Sequence, residues 1–167
     1  MKKIFFAIMV IMIVSMGHAA AQKNDSQEYT NAVGVKFYPG ALTIKHNFNH
    51  MIGVEGITYI YDNASVRLTG LLEFNFDIEP VPGLKWFVGP GAHVSFIRYQ
   101  SQATTFAGID GILGVDYKFY GVPVNISFDW QPSFEFGVEP TYANQHHIKD
   151  GPGFTGSWAG VGVRYTF

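Results

Sequence analysis

His93 and Ser95 are the side chains in this chain whose types and spacing could support nucleophilic chemistry. Two residues apart on a strand, they would point to the same face. A histidine next to a serine hydroxyl can act as the base that activates it, and such a pair could hydrolyse an acyl ester. The alternative is that His93 belongs to an internal polar network and Ser95 is a structural neighbour.

A second group of polar side chains lies near the carboxyl end of the chain. His146 and His147 stand close to Asp150 in a polar segment, and a metal site there would need further converging ligands. His46 and His50 are weaker candidates. Adjacent histidines in a polar loop are usually solvated, so we predict no metal and no cofactor.

The first 21 residues have the features of a secretory signal peptide. Lys2 and Lys3 form a basic segment, and an unbroken apolar run follows from Ile4 to Val14. The run is too short to cross a membrane, which takes about 20 apolar residues. The small residues Ala19-Ala20-Ala21 suit signal peptidase and place the cleavage before Gln22.

The composition limits the types of protein to which the chain after the signal peptide can belong. We predict a signal peptide over residues 1–21, a short polar leader over 22–30 and one domain over 31–167. The chain has no cysteine, which rules out disulfides and thiolate chemistry, and its net charge of -2 without a basic cluster argues against nucleic-acid binding. The 16% aromatic residues and 19 glycines suit strands and turns better than helices.

Strand-like segments follow one another along the domain, separated by Gly, Pro, Asn and Asp. We predict an all-β fold of eight antiparallel strands: Asn31–Tyr38, Ala41–Phe48, Ile52–Tyr61, Ser65–Ile78, Lys85–Tyr99, Phe106–Phe119, Val124–Val138 and Ser157–Phe167. Glu55 shares the parity of Ile57 and Tyr59 in the third strand, which suggests a bulge there.

Most strands alternate between apolar and polar side chains. In the seventh, Val124, Ile126 and Phe128 oppose Asn125 and Asp129. A soluble barrel would turn the apolar face inward, whereas a membrane barrel turns it to lipid. The strand lengths favour lipid, because several exceed both the usual soluble strand and the 9 to 11 residues that cross a bilayer.

The polar faces carry charges of both signs, which can neutralise one another inside a narrow lumen. The predicted interior network comprises Lys36, Arg67, Glu73, Asp77, His93, Asp110, Asp116, Lys118, Asp129, Glu135 and Arg164. Lys45 and Lys85 lie on the same polar faces. Arg164 has acidic candidates in Asp77 and Asp116, and its partner is not readable from the sequence.

Aromatic residues mark both ends of the apolar faces, as two membrane interfaces require. One predicted rim holds Phe76, Trp86, Tyr117, Phe119, Tyr165 and Phe167, and the other holds Phe37, Tyr59, Tyr61, Phe96, Phe134 and Phe136. Because lipid cannot satisfy an open sheet edge, the sheet must close into an up-and-down barrel.

An even number of strands brings both chain ends to one side, the periplasmic one. The short turns on that side are predicted at Asn49–Met51, Glu79–Leu84 and Tyr120–Pro123. The connections facing outward are predicted at Tyr38–Ala41, Asp62–Ala64, Gln100–Thr105 and Glu139–Gly156, of which the last is the longest. Eight strands leave an interior that side chains can fill, so we predict no open pore.

Several stretches resemble a known family. They are Leu84–His93, Gly108–Lys118, Val122–Pro132 and the ending Arg164-Tyr165-Thr166-Phe167. They resemble small outer-membrane β-barrel proteins of the Bacteroidetes, OmpA- or OmpX-like in shape. The resemblance implies a Gram-negative outer membrane and insertion by the outer-membrane assembly machinery, with Val163, Tyr165 and Phe167 in the recognition signal.

The expected function is a non-enzymatic, monomeric envelope protein in contact with outer-membrane lipid and lipopolysaccharide. A surface partner could bind the segment 139–156. The alternative is an enzyme acting on lipid A or phospholipid, since an outer-membrane lipid A deacylase family carries a His-x-Ser pair. Here Phe96-Ile97-Arg98 replaces the Asn-Ala-Gly that follows in that family, and His93 and Ser95 fall on the lumen face. A third reading is a secreted, soluble ligand-binding barrel.

Overall fold

The computed structural model describes residues 28–38, 40–61, 65–99, 102–136, 153–156 and 158–167. Its strands are β1 (Asn31–Phe37), β2 (Ala41–Asn47), β3 (Ile52–Ile60), β4 (Val66–Asp77), β5 (Leu84–Tyr99), β6 (Gln102–Lys118), β7 (Val124–Trp130), β8 (Ser133–Phe136), β9 (Gly153–Thr155) and β10 (Ala159–Thr166). The signal peptide and His146, His147 and Asp150 lie outside the described residues.

In the part of the chain that the structure describes, no helix has the length and apolar character needed to cross a membrane.

The ten strands form one closed antiparallel sheet. Each strand from β1 to β6 pairs with the next, β6 pairs with β7 and β8, and β10 pairs with both β7 and β1. Since β7 and β8 continue one path around the barrel, as do β9 and β10, the barrel has eight strands. The predicted fold class is confirmed.

Both described chain ends lie at one end of the barrel, which we call the terminal end. There the backbones of Asn31 and Phe167 exchange two hydrogen bonds of 2.8 Å. Three turns join strands at this end, and Gly83 and Gly121 in two of them adopt positive φ angles of 83° and 70°. Glycine takes this conformation without steric cost. The opposite end, where β1 meets β2 and β5 meets β6, is the loop end.

The third strand contains no bulge, so that expectation was wrong. β3 pairs with β2 and β4 in unbroken register, and Glu55, Ile57 and Tyr59 all point inward and are buried. The register instead shifts by one residue between β9 and β10: Thr155 lies opposite Ser133, and Ala159 opposite Trp130. The extra residue lies between Thr155 and Ala159, near the start of the predicted last strand.

Three predicted strand limits also differ, and one is the start of the last strand, because β9 (Gly153–Thr155) lies within the predicted outward connection Glu139–Gly156. β6 begins at Gln102, so the predicted connection Gln100–Thr105 shrinks to residues 100–101. The predicted seventh strand is interrupted at Gln131 and Pro132, because proline has no N–H to donate to the ladder. The register with β6 is the same before and after the interruption, and so the side chains keep their faces.

The terminal-end aromatic rim matches the predicted residues. Phe76 and Trp86 stack on the outer wall with ring centroids 4.4 Å apart, and Tyr117 and Phe119 meet edge to face at 4.8 Å. At the loop end Phe37, Phe96, Phe134 and Phe136 are exposed on the outer wall.

Tyr59 and Tyr61 do not belong to the loop-end rim, which corrects the sequence prediction. Tyr59 is 3% exposed and points inward, and Tyr61 packs against the buried cluster that contains it. Strand parity explains Tyr59, since it follows the inward-facing Glu55 and Ile57.

Candidate functional site

The barrel interior is the polar site of this molecule. Charged side chains that are 7% exposed or less line it: Lys36, Lys45, Glu55, Arg67, Glu73, His93, Asp110, Asp116, Lys118, Asp129, Glu135 and Arg164. They arise from the inward positions of nine of the ten strands, where every second residue must point into the lumen. Leaving such charges unpaired would be costly, and their pairing therefore decides what the interior can do.

Near the loop end, four charged side chains form one group. The Arg67 guanidinium donates to Asp110 Oδ1 at 2.6 Å and to Glu135 Oε1 at 3.2 Å. His93 Nδ1 lies 2.8 Å from Asp110 Oδ2, and its Nε2 lies 3.3 Å from Glu135 Oε1. We call these four residues the loop-end cluster. β4, β5, β6 and β8 each contribute one member, which ties neighbouring strands together.

Aromatic rings cover the loop-end cluster. The Arg67 guanidinium lies 4.4 Å from the ring centroid of Trp158 and 6.0 Å from that of Tyr59. The Tyr59 hydroxyl donates to Gln131 Oε1 at 2.7 Å, and the Gln131 amide donates to Asp110 Oδ1 at 3.1 Å. Stacking on aromatic faces stabilises a guanidinium that has lost its water.

A further buried ion pair lies on the inner wall of the barrel. Lys36 Nζ donates to Asp129 Oδ1 at 2.7 Å, and both side chains are 2% exposed. This pair joins β1 to β7, strands that both neighbour β10. It separates the loop-end cluster from a second group of charges.

The second group lies towards the terminal end, and we call it the terminal-end cluster. Its members are Lys45, Glu55, Glu73, Asp116 and Arg164. Arg164 pairs with Glu55, and Lys45 Nζ lies 2.7 Å from Glu73 Oε2 and 3.4 Å from Asp116 Oδ2. The partner of Arg164 is therefore Glu55, rather than either predicted candidate, Asp77 or Asp116.

Tyr29 closes this cluster from the terminal end. It precedes β1, and its hydroxyl donates to Asp116 Oδ2 at 3.1 Å. Burial raises the pKa of the Tyr29 hydroxyl above its usual range, so the phenol stays neutral and remains a donor. The Asn47 side chain holds the segment by donating to the Tyr29 carbonyl at 3.0 Å.

A shallow vestibule opens beyond Tyr29 at the terminal end. Its volume is about 260 Å³, and His50, Asn75, Lys85 and Lys118 are among its lining residues. Lys118 donates to the backbone carbonyls of Phe119 and Val122, at 2.9 and 2.7 Å. Lys118 thus anchors a turn and contributes no ion pair to the described interior.

Asp77 does not join the interior network, which corrects its predicted place. Its side chain is 64% exposed at the terminal rim, 3.4 Å from Lys85 Nζ. Asp77 is the last residue of β4, and the strand ends there beyond the packed lumen.

The arrangement around His93 does not resemble a nucleophilic pair. Both ring nitrogens face carboxylates, and Ser95 is buried on the same inner wall. An acyl chain in a membrane would lie against the outer wall of the barrel, on the other side of the sheet. No group of three or more His, Cys, Asp or Glu within the described ranges is placed to hold a metal ion.

Sequence reasoning missed Glu55 as a member of the interior, because its strand alternates poorly. It also missed the apolar side chains that fill the lumen between the ion pairs, namely Ile57, Leu71, Phe87 and Ile112. Parity with neighbouring charged residues was the available signal in each case. Phe87, for example, falls on the face of Lys85 and His93.

The closing strand presents its predicted signal residues to the outside. Val163 and Phe167 are both 36% exposed, and Tyr165 shares their face. Arg164, between them, is 2% exposed and points inward. Along β10, outward-facing apolar side chains therefore alternate with inward-facing residues, among them the charged Arg164.

The fold has a known counterpart. The barrel is similar to the N-terminal β-barrel domain of OprF from Pseudomonas aeruginosa, with a TM-score of 0.53 and 15% sequence identity. The match covers 82% of this chain and 95% of that one. No protein-family model and no curated protein sequence matches the chain. The structural likeness shows the fold, an eight-stranded OmpA-like barrel.

Proposed function

We propose that this protein is an integral outer-membrane β-barrel protein with a structural or surface-interaction role and no enzymatic activity. The observation that supports the proposal is the distribution of side chains, which is the reverse of that in a soluble protein: apolar side chains are exposed outside and charged side chains are buried inside. Ile109 and Phe128 on the outer wall are 56% and 55% exposed, whereas Arg164 and Glu73 inside are 2% and 0% exposed. Burying charge while exposing apolar side chains is unfavourable in water and favourable in a bilayer.

Heat modifiability tests the membrane placement. A membrane barrel taken from the outer-membrane fraction in mild detergent should migrate differently in gels when boiled and unboiled. Recovery in the aqueous periplasmic fraction without detergent would overturn the proposal and favour a soluble barrel.

The filled lumen supports a structural role over a transport role. Two ion-paired clusters and the Lys36–Asp129 pair are buried in the lumen together with the apolar side chains of Ile57 and Phe87. We expect no stable current of porin size from pure protein in a planar bilayer. Such currents, with a conductance that scales with salt, would contradict a closed barrel.

The segment 139–156 is the proposed contact for a surface partner, because it is the longest outward connection in the sequence. A pull-down with the intact barrel should recover a partner that a variant lacking residues 139–152 does not, and this deletion spares β9, which pairs with β8 in the barrel. Equal recovery by both proteins would show that the partner does not bind this segment.

The lipid-modifying alternative has a direct assay. Purified barrel is incubated with lipopolysaccharide, and released fatty acid is sought by mass spectrometry. We expect none. Release of fatty acid would contradict the proposal of a non-enzymatic barrel, and His93→Ala should leave any such activity intact because His93 points into the lumen.

A further inference from the structure

The terminal-end cluster contains more carboxylates than cationic side chains. Its carboxylates are Glu55, Glu73 and Asp116, and its cations are Lys45 and Arg164. All five residues are 3% exposed or less. An unbalanced charge buried at this depth is expensive, so something other than a side-chain cation must neutralise it.

The other buried acids of the described interior do not share this imbalance. Asp129 has Lys36, and the two carboxylates of the loop-end cluster have Arg67 and His93. Lys118 is turned towards backbone carbonyls at the terminal rim. The missing positive charge is therefore local to the terminal-end cluster.

Hydrogen-bond donors distinguish the three carboxylates. Asp116 has three donors: it accepts hydrogen bonds from Tyr29, from Asn125 and, at 3.4 Å, from Lys45. Three donors stabilise the ionised form of a carboxyl group. Asp116 is thus the member best suited to carry a full negative charge.

Glu55 and Glu73 differ in the hydrogen bonds that they accept. Glu55 Oε1 accepts hydrogen bonds from the Thr43 hydroxyl and the Arg164 guanidinium. Glu73 Oε2 lies 2.7 Å from the Lys45 ammonium, whereas Glu73 Oε1 has no hydrogen bond within the described chain. Glu55 Oε2 is also without a hydrogen bond.

These orphaned oxygens belong to two side chains that face each other. Glu55 and Glu73 come from the paired strands β3 and β4 and are within hydrogen-bonding reach of each other. Two ionised carboxylates cannot bond to each other, because both are acceptors. One proton placed between them turns two orphaned acceptors into one hydrogen bond and cancels the excess charge.

We propose that Glu55 and Glu73 form a proton-binding site in the closed lumen: Glu73 is protonated at neutral pH and donates to Glu55 Oε2. Other charged or titratable groups face the pair from the surrounding elements, namely Tyr29, Lys36, Lys45, Asp116, Asp129 and Arg164. Lys45 and Arg164 stay charged, and Tyr29 stays neutral.

The site makes stability depend on pH in a defined direction. A glutamate in the unfolded chain has a pKa near 4.3 and has lost its proton at pH 7. The folded barrel then binds one more proton than the unfolded chain. Stability supplied by this site is full at acidic pH and falls as the pH rises through the titration of the pair.

Infrared spectroscopy of the folded barrel in lipid tests the proton directly. At pH 7 we expect the carbonyl band of a protonated carboxylic acid, shifted in D2O, and we expect Glu73→Gln to remove intensity equal to one such group. The matched control Glu135→Gln should keep it. An unchanged spectrum in Glu73→Gln would overturn the proposal.

Unfolding in urea at several pH values provides the second test. Glu73→Gln should retain stability at pH 7, because the amide can donate to Glu55 Oε2 as the acid does, and it should lose the pH-dependent part that wild type shows. All other titratable groups are present in both proteins, so their difference isolates the pair. Glu55→Gln should be strongly destabilised, since it takes the partner from Arg164. Equal destabilisation by both substitutions, or unchanged pH dependence in Glu73→Gln, would show two ordinary ion pairs instead.

Discussion

Arg164 and Lys85 show how the same charge acts in two surroundings. The Arg164 side chain is 1% exposed and paired with a fully buried carboxylate, whereas Lys85 is 18% exposed beside the largely solvated Asp77. We predict that Arg164→Met lowers the free energy of unfolding by about 3–5 kcal/mol, because it leaves Glu55 buried and unpaired. Lys85→Met should cost about 0–1 kcal/mol, as expected of a rim pair.

Urea titration of the folded barrel in lipid vesicles, followed by tryptophan fluorescence, measures both values. The double variant Glu55→Met with Arg164→Met should be more stable than Arg164→Met alone, because no charge is then left without its partner. Equal losses for the buried and the rim substitution would contradict this view of the interior.

Along the strands, inward glycines give the large interior side chains their space. A Cβ added at Gly108 would lie 2.4 Å from His93 Cε1 and 2.5 Å from the Phe134 carbonyl oxygen, whereas one at Gly70 meets nothing within 4 Å. We predict that Gly108→Ala destabilises the barrel by about 1–3 kcal/mol through overpacking. Gly70→Ala is the matched control and should unfold at nearly the wild-type urea concentration.

The outer face of β6 tests the lipid assignment at the same scale. Leu113 is 46% exposed between Val115 and Ile109 on that face, and Phe119 lies beyond the strand end in the terminal rim. Leu113→Arg should cost about 2–4 kcal/mol in a bilayer, and Phe119→Arg about 0–1 kcal/mol, because the cost depends on depth. Unfolding in vesicles measures both, and a Leu113→Arg barrel as stable as wild type would place this face outside the hydrocarbon.

Across the whole molecule, the up-and-down order predicts which connections face the outside of the cell. The chain has no cysteine, and one introduced thiol therefore reports its own position. Asn144→Cys, in the long outward segment, should react with a membrane-impermeant maleimide in intact cells. Val81→Cys, in an exposed turn at the terminal end, should react only after lysis. The reverse labelling pattern would show that the barrel has the opposite orientation in the membrane.

The general plan of the barrel could be predicted from the sequence because strand parity is a local property. Alternation along β7 places Asp129 and Phe128 on opposite faces without knowledge of any other strand, and strand length then favours lipid for the apolar face. The same rule assigned most of the interior charges. It failed where alternation is weak, as at Glu55 and Tyr59, since a local pattern with mixed polarity does not state which face is buried.

The sequence by itself determined the strand number, the closed all-β fold and the two faces of most strands. Only the tertiary structure decided which charges meet. Arg164 and Glu55 are 109 residues apart, and Arg67 and Asp110 are 43 apart. Partners across a lumen depend on the stagger of the strands around the barrel, which sets the height of every inward side chain and is a property of the closed sheet. The facing carboxyl groups of Glu55 and Glu73 follow from that stagger, and no pattern within either strand foretells them.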